Sequence, residues 1–528
     1  MGAGAVTVNG HHEGFWQFVD PSRTWYNNRR IIALNGWIVL LLITSSNNGY
    51  DGSMMNTLQA ESQWKDYFNN PQGSKLGLLN AIQNIGALAG YPFAPYLSDG
   101  IGRRPTVAFG AFIMCIAVAI QTAAHSTGMF IGARFLIGFG LTFAANAAPM
   151  LVTEISYPVY RAPLTSLYNS LWYSGAIVAA WTTFGTEYIH NTWAWRIPSL
   201  FQGIPAILQV LFIWFLPESP RFLVSKGRDA QAIKTLAYYH ADGNEEDPLV
   251  QFEYQEIKAQ IDFDKAVASK VGYKSLFTTP GNRRRMAIII PIAFFSQWSG
   301  NGLISYYLTK ILTSIGITNT TIQLLINGIL QIWNLAWACG ASFAVERAGR
   351  RLLFISSVVG MLTFFIFWTI CSAVFAENGN TQAAHAVIAF IFLFYAAYDL
   401  AFTPLIVSYT VEILPYSVRA KGFNIFNFTI SVALIFNQYV NPIALEAINW
   451  KYYIVYIAWL CFELAYVYFT IIETRGLSLE ETAALFDGEG KRDEMAANAA
   501  EASKVSPPSP INEKDSAEFP EHSEHLDV

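Results

Sequence analysis

Charge is what this 528-residue sequence has least of: only 13% of its residues are Asp, Glu, Lys or Arg, against about 25% in an ordinary soluble domain. A soluble chain of this length divides into domains that each need a polar surface. Here apolar runs recur from Ile31 to Ile472, in a composition 53% hydrophobic and 15% aromatic. That excludes a string of water-soluble globules and predicts a lipid-facing exterior. Cysteine is scarce too. Cys115, Cys339, Cys371 and Cys461 all fall inside apolar runs, where a thiol packs as a small hydrophobe, so neither disulfides nor a metal site are expected. The sequence has no nucleotide-binding loop, metal cluster or nucleophile constellation. No enzymatic activity, cofactor or nucleic-acid partner is therefore expected. Met1 to Asn28 lacks the short apolar core of a secretory signal, which leaves the first apolar run as the insertion signal.

A bilayer-crossing helix needs roughly 20 mostly apolar residues. Such runs lie near 31–52, 77–97, 105–124, 128–153, 163–186 and 196–216, and again near 286–309, 322–345, 352–376, 386–411, 423–443 and 451–472. The expected fold is an all-α membrane protein of twelve spans in two sets of six, residues 31–217 and 286–472. Gly, Pro, Asn and Gln inside the spans are tolerable only where protein or a wet cavity satisfies the backbone and amide groups, so the interior should be polar. Residues 218–285 form a polar insert with helical spacing near 228–240 and 249–269. Residues 1–30 should form an N-terminal cytoplasmic segment. From Glu473 to Val528 there are fourteen acidic against five basic side chains, a composition that resists folding.

Lys and Arg mark cytoplasmic loops. Arg29, Arg30, Arg103, Arg104, Arg161, Arg283 to Arg285, Arg350, Arg351, Arg419 and Lys421 all fall on one side of the twelve-span plan, which places both termini in the cytoplasm, with the plasma membrane as the expected location. Asn319-Thr320-Thr321, a glycosylation sequon, falls on the other side.

Three motifs return about half a chain later, the mark of two homologous membrane halves. Asp99-Gly-Ile-Gly-Arg103-Arg104 returns as Glu346-Arg347-Ala-Gly-Arg350-Arg351, Glu154 to Arg161 as Glu412 to Arg419, and, more faintly, Glu218-Ser-Pro-Arg221 as Glu473-Thr-Arg475. Carboxylates and guanidinium groups at these helix ends can make charge-assisted bonds. They are candidates for a gate that latches the halves together when the cytoplasmic side is closed; plain topogenic charge is the alternative.

Two ionisable residues fall inside the spans at compatible depths. Asp51 lies about 30 Å along the first span from Ile31, and Arg134 roughly 9 Å into the fourth from Gly128. A charge inside a membrane is costly unless paired. Asp51 is therefore a candidate proton acceptor compensated by Arg134, against the alternative of a Tyr-Asp-Gly turn ending a helix at the interface. Asp399, near the middle of the tenth span, is a second buried acid, for which a structural or gating bond is expected.

The sequence resembles the sugar porter family of the major facilitator superfamily, from the first span to Glu481. The resemblance rests on Gly49-Tyr50-Asp51-Gly52, Gly132-Ala-Arg134-Phe-Leu-Ile-Gly138, Pro217-Glu218-Ser219-Pro220-Arg221, Ser296-Gln297-Trp298-Ser299-Gly300 with Tyr306-Tyr307, and Glu473-Thr-Arg-Gly-Leu-Ser-Leu-Glu480-Glu481, in that order. Within the family, Phe294 to Tyr307 and Tyr168 to Trp172 look most like fungal lactose permease and related disaccharide carriers. The resemblance implies a transporter, not an enzyme, that works as a monomer and moves a sugar together with a proton.

A sugar offers many hydroxyls and no charge, so its site needs neutral amides and aromatic faces near mid-membrane. Gln297 and Asn334 lie roughly 16 and 18 Å into their spans, near the midplane. The resemblance implies substrate contacts at Asn169, Gln297 and Asn334, with Asn301 as an extra, and an aromatic gate at Tyr306 and Tyr307. It also implies proton transfer by Asp51, tuned by Arg134. Helix-to-helix hydrogen bonding is the alternative for each amide. Ser296 and Gly302 stand where the family has longer amides, Val407 where it has a stacking Trp, and the Asn-Trp pair of the eleventh span is not evident, although Asn427 lies a turn earlier. These replacements predict a roomier pocket and a larger ligand such as a disaccharide, with a hexose carrier, a sugar sensor and a facilitator or exporter left open.

Overall fold

Peptide groups in hydrocarbon must be hydrogen-bonded within the chain, and the apolar runs accordingly become helices. The computed structural model describes residues 18–19, 23–268, 272–475, 482 and 485–486. The first half is built from α1 (Arg29–Leu58), α2 (Gly73–Gly90), α3 (Arg103–Thr122), α4 (Thr127–Ile155), α5 (Trp172–Thr186), α6 (Trp193–Phe201) and α7 (Ile204–Phe212). The insert carries α8 (Asp229–His240) and α9 (Pro248–Ala268), close to the expected positions. The second half comprises α10 (Pro280–Trp298), α11 (Asn301–Ser314), α12 (Thr320–Ala348), α13 (Arg350–Asn378), α14 (Thr381–Ala401), α15 (Leu405–Ile413), α16 (Tyr416–Ile448) and α17 (Tyr452–Thr470).

Among the described residues, nine helical stretches are long and apolar enough to cross a membrane, and the last, Lys421–Thr470, holds two spans, α16 and α17. The two remaining spans of the twelve are α2 and α5. Asn80, Gln83 and Asn84 dilute the hydropathy of α2, and α5 is separated from the helix Arg161–Ser170 by a turn at Leu171.

Five spans expected to be continuous are broken, the second at Tyr91–Phe93 and the fifth at Leu171. The seventh breaks at Ser299–Gly300, where Gly300 has φ +104° and a Cβ would stand 2.6 Å from the Phe365 ring. Only glycine adopts that backbone without strain. The sixth breaks at Gln202–Gly203, between α6 and α7, and the tenth at Phe402–Pro404, between α14 and α15.

The halves meet through α2 against α16, α5 against α12, and α1 against α11. The second and eighth spans are repeat equivalents, as are the fifth and eleventh, so the first two contacts are related by the internal two-fold that the motif offsets foretell. Within the first half, α1 and α5 approach until their backbones touch: a Cβ on Gly49 would lie 1.8 Å from the Trp172 carbonyl oxygen, and one on Gly175 would lie 1.6 Å from that of Ser46. Small residues substitute here for the hydrophobic drive that lipid removes.

Candidate functional site

Asp51 lies inside α1, seven residues before its end, and is fully buried. That rules out the helix-ending turn. Its carboxylate accepts from Gln83 Nε2 at 3.3 Å and from Gln202 Nε2. Arg134, 2% exposed, donates from Nη2 to Gln83 Oε1 at 2.7 Å and from Nε to the Leu79 carbonyl at 3.0 Å. The acid and the guanidinium are thus joined through the Gln83 amide, where direct pairing was expected. Gln121 donates in turn to Gln202 Oε1 at 3.2 Å. The result is a buried chain of amides around one acid, closed to solvent and drawn from α1, α2, α3, α4 and the α6–α7 break. Gln83 and Gln202 were not singled out from sequence. Their signal was available: each is an uncharged amide inside a span, which hydrocarbon penalises unless it has a partner.

A second polar network lies in the other half. Asn301 donates to the Ser296 carbonyl at 3.0 Å and to the Tyr398 hydroxyl at 3.2 Å, while Tyr395 donates to the Asn301 carbonyl at 3.1 Å. Tyr398 also donates to the Ser296 carbonyl at 2.7 Å, and Ser305 bonds the Tyr395 hydroxyl. Gln297 donates to Ser296 Oγ at 3.1 Å, and its carbonyl accepts from Asn437. Asn334 is 2% exposed. The side-chain oxygens of Asn301 and Asn334 and one carboxylate oxygen of Asp399 are buried without a hydrogen-bond partner. Buried acceptors left unpaired cost about 1–3 kcal/mol each, so they are suited to a ligand rich in hydroxyl donors. Asn169 lies on the helix Arg161–Ser170, and its side chain is outside the described ones.

The space expected at Gly302 is occupied. A Cβ there would meet Asn437 Nδ2 at 1.9 Å, because α16 delivers Asn437 into the gap. Asn437 and Asn441 form a bonded pair extended by Tyr452 and Tyr456, both donating to Asn441 Oδ1, at 2.9 and 2.8 Å. The amide missing from the seventh span is thus supplied by the eleventh, ten residues beyond Asn427, and the roomier pocket inferred at Gly302 is not there. Asp399 does make the expected structural bond. It accepts from the Tyr173 hydroxyl of the first half at 2.7 Å and from Thr403 at 2.6 Å. Glu463, which sequence reasoning passed over, is fully buried on α17 and accepts from Ser299 Oγ at 3.0 Å, beside the break at Gly300.

At the face opposite the basic loops the halves are sealed together. Asn56 Oδ1 accepts from the Leu308 backbone N–H at 3.1 Å, Asn56 Nδ2 donates to Asn327 at 3.2 Å, and Gln59 donates to the Tyr306 carbonyl at 2.8 Å. Tyr307, which departs from helical geometry at φ −138°, is fully buried and bonds the Gln438 carbonyl, while Asn84 donates to Gln438 Oε1 at 2.7 Å. The aromatic pair Tyr306-Tyr307 therefore stands within this contact between the halves. Asn319 is exposed and caps α12 through a bond from the Ile322 N–H at 3.1 Å.

At the basic face the ion pairs close within each half. Arg103 pairs with Asp99 at 3.3 Å and Glu154 at 3.2 Å, and Ser219 bonds Glu154. Glu218 accepts from the backbone N–H groups of Arg103 and Arg104 at 3.2 and 3.3 Å, capping α3. The second half repeats the arrangement: Arg350 pairs with Glu412 at 3.0 Å, Thr474 donates to Glu412 at 2.7 Å, and Glu473 accepts from the Arg350 and Arg351 N–H groups at 2.9 and 3.0 Å. The faint motif at Glu473 is thus a full structural counterpart of Glu218. Arg104 and Arg351 donate to carbonyls near the ends of the last spans of their own halves, Leu216 and Tyr468. Arg419 donates to the Leu414 carbonyl. Arg221 opens the helix Pro220–Ser225, and the side chains of Glu346 and Arg347 lie outside the described ones. Arg161 serves the insert, bonding Glu253 at 3.4 Å; Glu253 in turn bonds His240 at 2.7 Å, both nearly inaccessible to solvent.

The twin caps differ in environment. Burial pushes the Glu218 carboxyl up, whereas at Glu473 burial is weaker than the four backbone N–H groups around it, which bring it below the ordinary glutamate range. A carboxyl depressed in the folded state contributes stability that is present above its unfolded pKa and is lost as pH falls through the lower folded value. Acidifying from neutral through that window should lower the melting temperature. In Glu473→Gln the melting temperature at neutral pH should drop, by the equivalent of about 0.5–2 kcal/mol for a weakened helix cap, and the acid-dependent part of the loss should shrink. A thermal-shift titration of both proteins reads this, and identical pH profiles would refute the role.

Two six-span halves with buried polar networks in each, in contact at one face, define a polytopic membrane carrier. The sequence model for the family described as Sugar (and other) transporter matches residues 37–486, and the chain belongs to that family, within the major facilitator superfamily. It is 29% identical over 442 residues to the MFS-type transporter criB of Aspergillus cristatus, covering 83% of this chain and 90% of that one. It is 28% identical over 460 residues to a high-affinity glucose transporter of Kluyveromyces lactis, covering 82% and 81%. Among solved structures, the inward-open xylose transporter XylE from E. coli matches with a TM-score of 0.71 at 21% identity, over 86% of this chain and all of that one. The proton:xylose symporter XylE bound to 6-bromo-6-deoxy-D-glucose matches with a TM-score of 0.65 at 22% identity, over 86% of this chain and all of that one.

Proposed function

We propose that the chain takes up a neutral sugar together with a proton by alternating access. The observation that carries the reading is the pair of buried amide oxygens, on Asn301 and Asn334, left without hydrogen-bond partners. An uncharged polyol supplies the missing donors and asks for no countercharge. Gln297, Asn301 and Asn334 contact the sugar, Asn437 takes the place of the amide lost at Gly302, and the family resemblance adds Asn169 as a contact from the first half. The proton goes to Asp51, whose surroundings of Gln83, Gln202 and Arg134 compensate a buried charge. The relatives named as glucose transporters and the structural neighbour named as a proton:xylose symporter support a monosaccharide. With the Gly302 gap filled, the case for a disaccharide rests on Ser296, Val407, the missing Asn-Trp pair of the eleventh span and the resemblance of Phe294 to Tyr307 and Tyr168 to Trp172 to disaccharide carriers.

The basic face is cytoplasmic in this reading, the sealed face is outside, and the carrier works as a monomer in the plasma membrane. Residues 1–30 and 473–528 flank the two bundles on the cytoplasmic side, with 218–285 as a helical linker. When the cytoplasmic side closes, the charged motifs around Arg103 and Arg350 exchange bonds across the mouth. Uptake of radiolabelled glucose, galactose, xylose, lactose and cellobiose into proteoliposomes, with and without an imposed pH gradient, tests the proposal. At least one sugar should accumulate against its gradient, and Asn334→Ala should raise its KM about tenfold, the equivalent of one lost hydrogen bond of roughly 1.4 kcal/mol. If no saccharide enters, the reading fails; if one enters but is insensitive to a protonophore, the proton coupling fails.

A further inference from the structure

Above the sealed gate lies a cavity of about 630 Å³, away from the central networks. That size falls within the roughly 300–1,000 Å³ typical of small-molecule sites. Its walls come from both halves: Gln59, Trp64 and Lys65 on one side, Lys310, Thr313 and Glu446 on the other. Gln59 is its floor. The Gln59 amide nitrogen is committed to the Met55 and Tyr306 carbonyls, but its oxygen has no partner, and neither has the indole N–H of Trp64, although both residues are at least nine-tenths buried. The Trp64 ring is held edge-on and tilted by Phe130 and Phe68, with centroids 6.3 and 5.6 Å away.

The lining is mixed and its charges balance. Lys65 and Lys310 offset Asp66 and Glu446, and the remainder is hydroxyls, amides, the aromatic rings of Trp64 and Tyr453, and the aliphatic surface of Pro71, Leu76, Pro442 and Leu445. An ion would meet opposite charge on one side and like charge on the other. A polyhydroxy ligand uses ammonium, carboxylate and amide groups alike and can lie against an aromatic face. Because the walls belong to different halves, the cavity has this shape only while the outer gate is shut. A ligand that binds one conformation selectively shifts the population toward it.

We propose that this vestibule is a second saccharide site, distinct from the transport site, which external sugar fills when the outer gate is closed and through which it holds that gate closed. The inference rests on the sugar-transport reading above. Its kinetic consequence is substrate inhibition: uptake should pass through a maximum and decline at high external sugar.

The test uses the full chain carrying Ser62→Cys, an exposed position on the vestibule wall, in intact cells treated with a membrane-impermeant thiol reagent. The unsubstituted chain corrects for its own cysteines. D-Glucose and lactose serve as the probes. One of them should slow modification of the new thiol at least threefold with saturation. The protection should persist when Gln297→Ala is added and vanish when Lys310→Met is added. No protection, protection lost with Gln297→Ala, or protection retained with Lys310→Met would each overturn the proposal. Sugar uptake by the unsubstituted chain without thiol protection sinks the vestibule alone. Absence of any sugar uptake sinks the transport reading.

Discussion

In Asp51→Asn, accumulation of sugar against its gradient should disappear while exchange across the membrane continues. One pH unit stores about 1.4 kcal/mol per proton, and a potential of 100 mV adds about 2.3 kcal/mol per charge. A carrier coupled one to one could therefore concentrate its sugar about 500-fold under both forces. The variant should reach a ratio of about 1. Asparagine retains the shape of the carboxyl, and its one side-chain oxygen can still accept from Gln83 or Gln202, both of which donate to Asp51 in the folded protein, so folding and the binding network in the other half should survive. The measurement is a pair of assays on the same proteoliposomes: net uptake under a pH gradient, and counterflow with equal sugar on both sides. Gradient-driven uptake at the level of the parent would remove Asp51 from the coupling step, whereas loss of both activities would assign it to the architecture.

The second large effect is on assembly. Gly49→Ala or Gly175→Ala should leave little correctly folded protein, because the added methyl would meet the partner helix's backbone at 1.8 or 1.6 Å. A backbone carbonyl cannot rotate away as a side chain can. The helices must part, which forfeits contacts along the whole α1–α5 seam and costs more than the about 1–3 kcal/mol of ordinary overpacking. Gly36 and Gly185 lie on the same two helices with nothing within 4 Å of an added Cβ. Alanine at those two positions should be neutral. Detergent extraction followed by size-exclusion chromatography should show at least a tenfold loss of the monodisperse peak for the first pair and no loss for the second. A normal peak from Gly49→Ala would mean that the close approach is not needed for assembly.

Much of this was legible from the chain alone, for reasons that are local. Span length and hydropathy follow from the thickness of hydrocarbon, and they predicted twelve spans, α2 among them although Asn80, Gln83 and Asn84 dilute its hydropathy. Repeat symmetry is written in motif spacing, which is why Glu154 and Arg103 could be matched with Glu412 and Arg350 before their bonds were known. Asp51 and Arg134 were found because a charge inside a span is anomalous wherever it occurs.

What sequence could not reach was the identity of partners. Gln83 and Gln202 lie 32 and 151 positions from the acid they serve, and nothing in a linear pattern ranks them above the other amides within the spans. Asn437 enters the gap at Gly302 because α16 crosses α11 there, so a vacancy inferred on one helix was filled from another. The breaks at Gly300 and Gln202 were likewise invisible to a hydropathy window, which averages over the residues that bend. Composition and periodicity decide which segments leave water, since each segment pays its own transfer energy into lipid. Which side chains then meet is decided only when the helices pack, because a hydrogen bond inside the bilayer depends on the position of two helices at once.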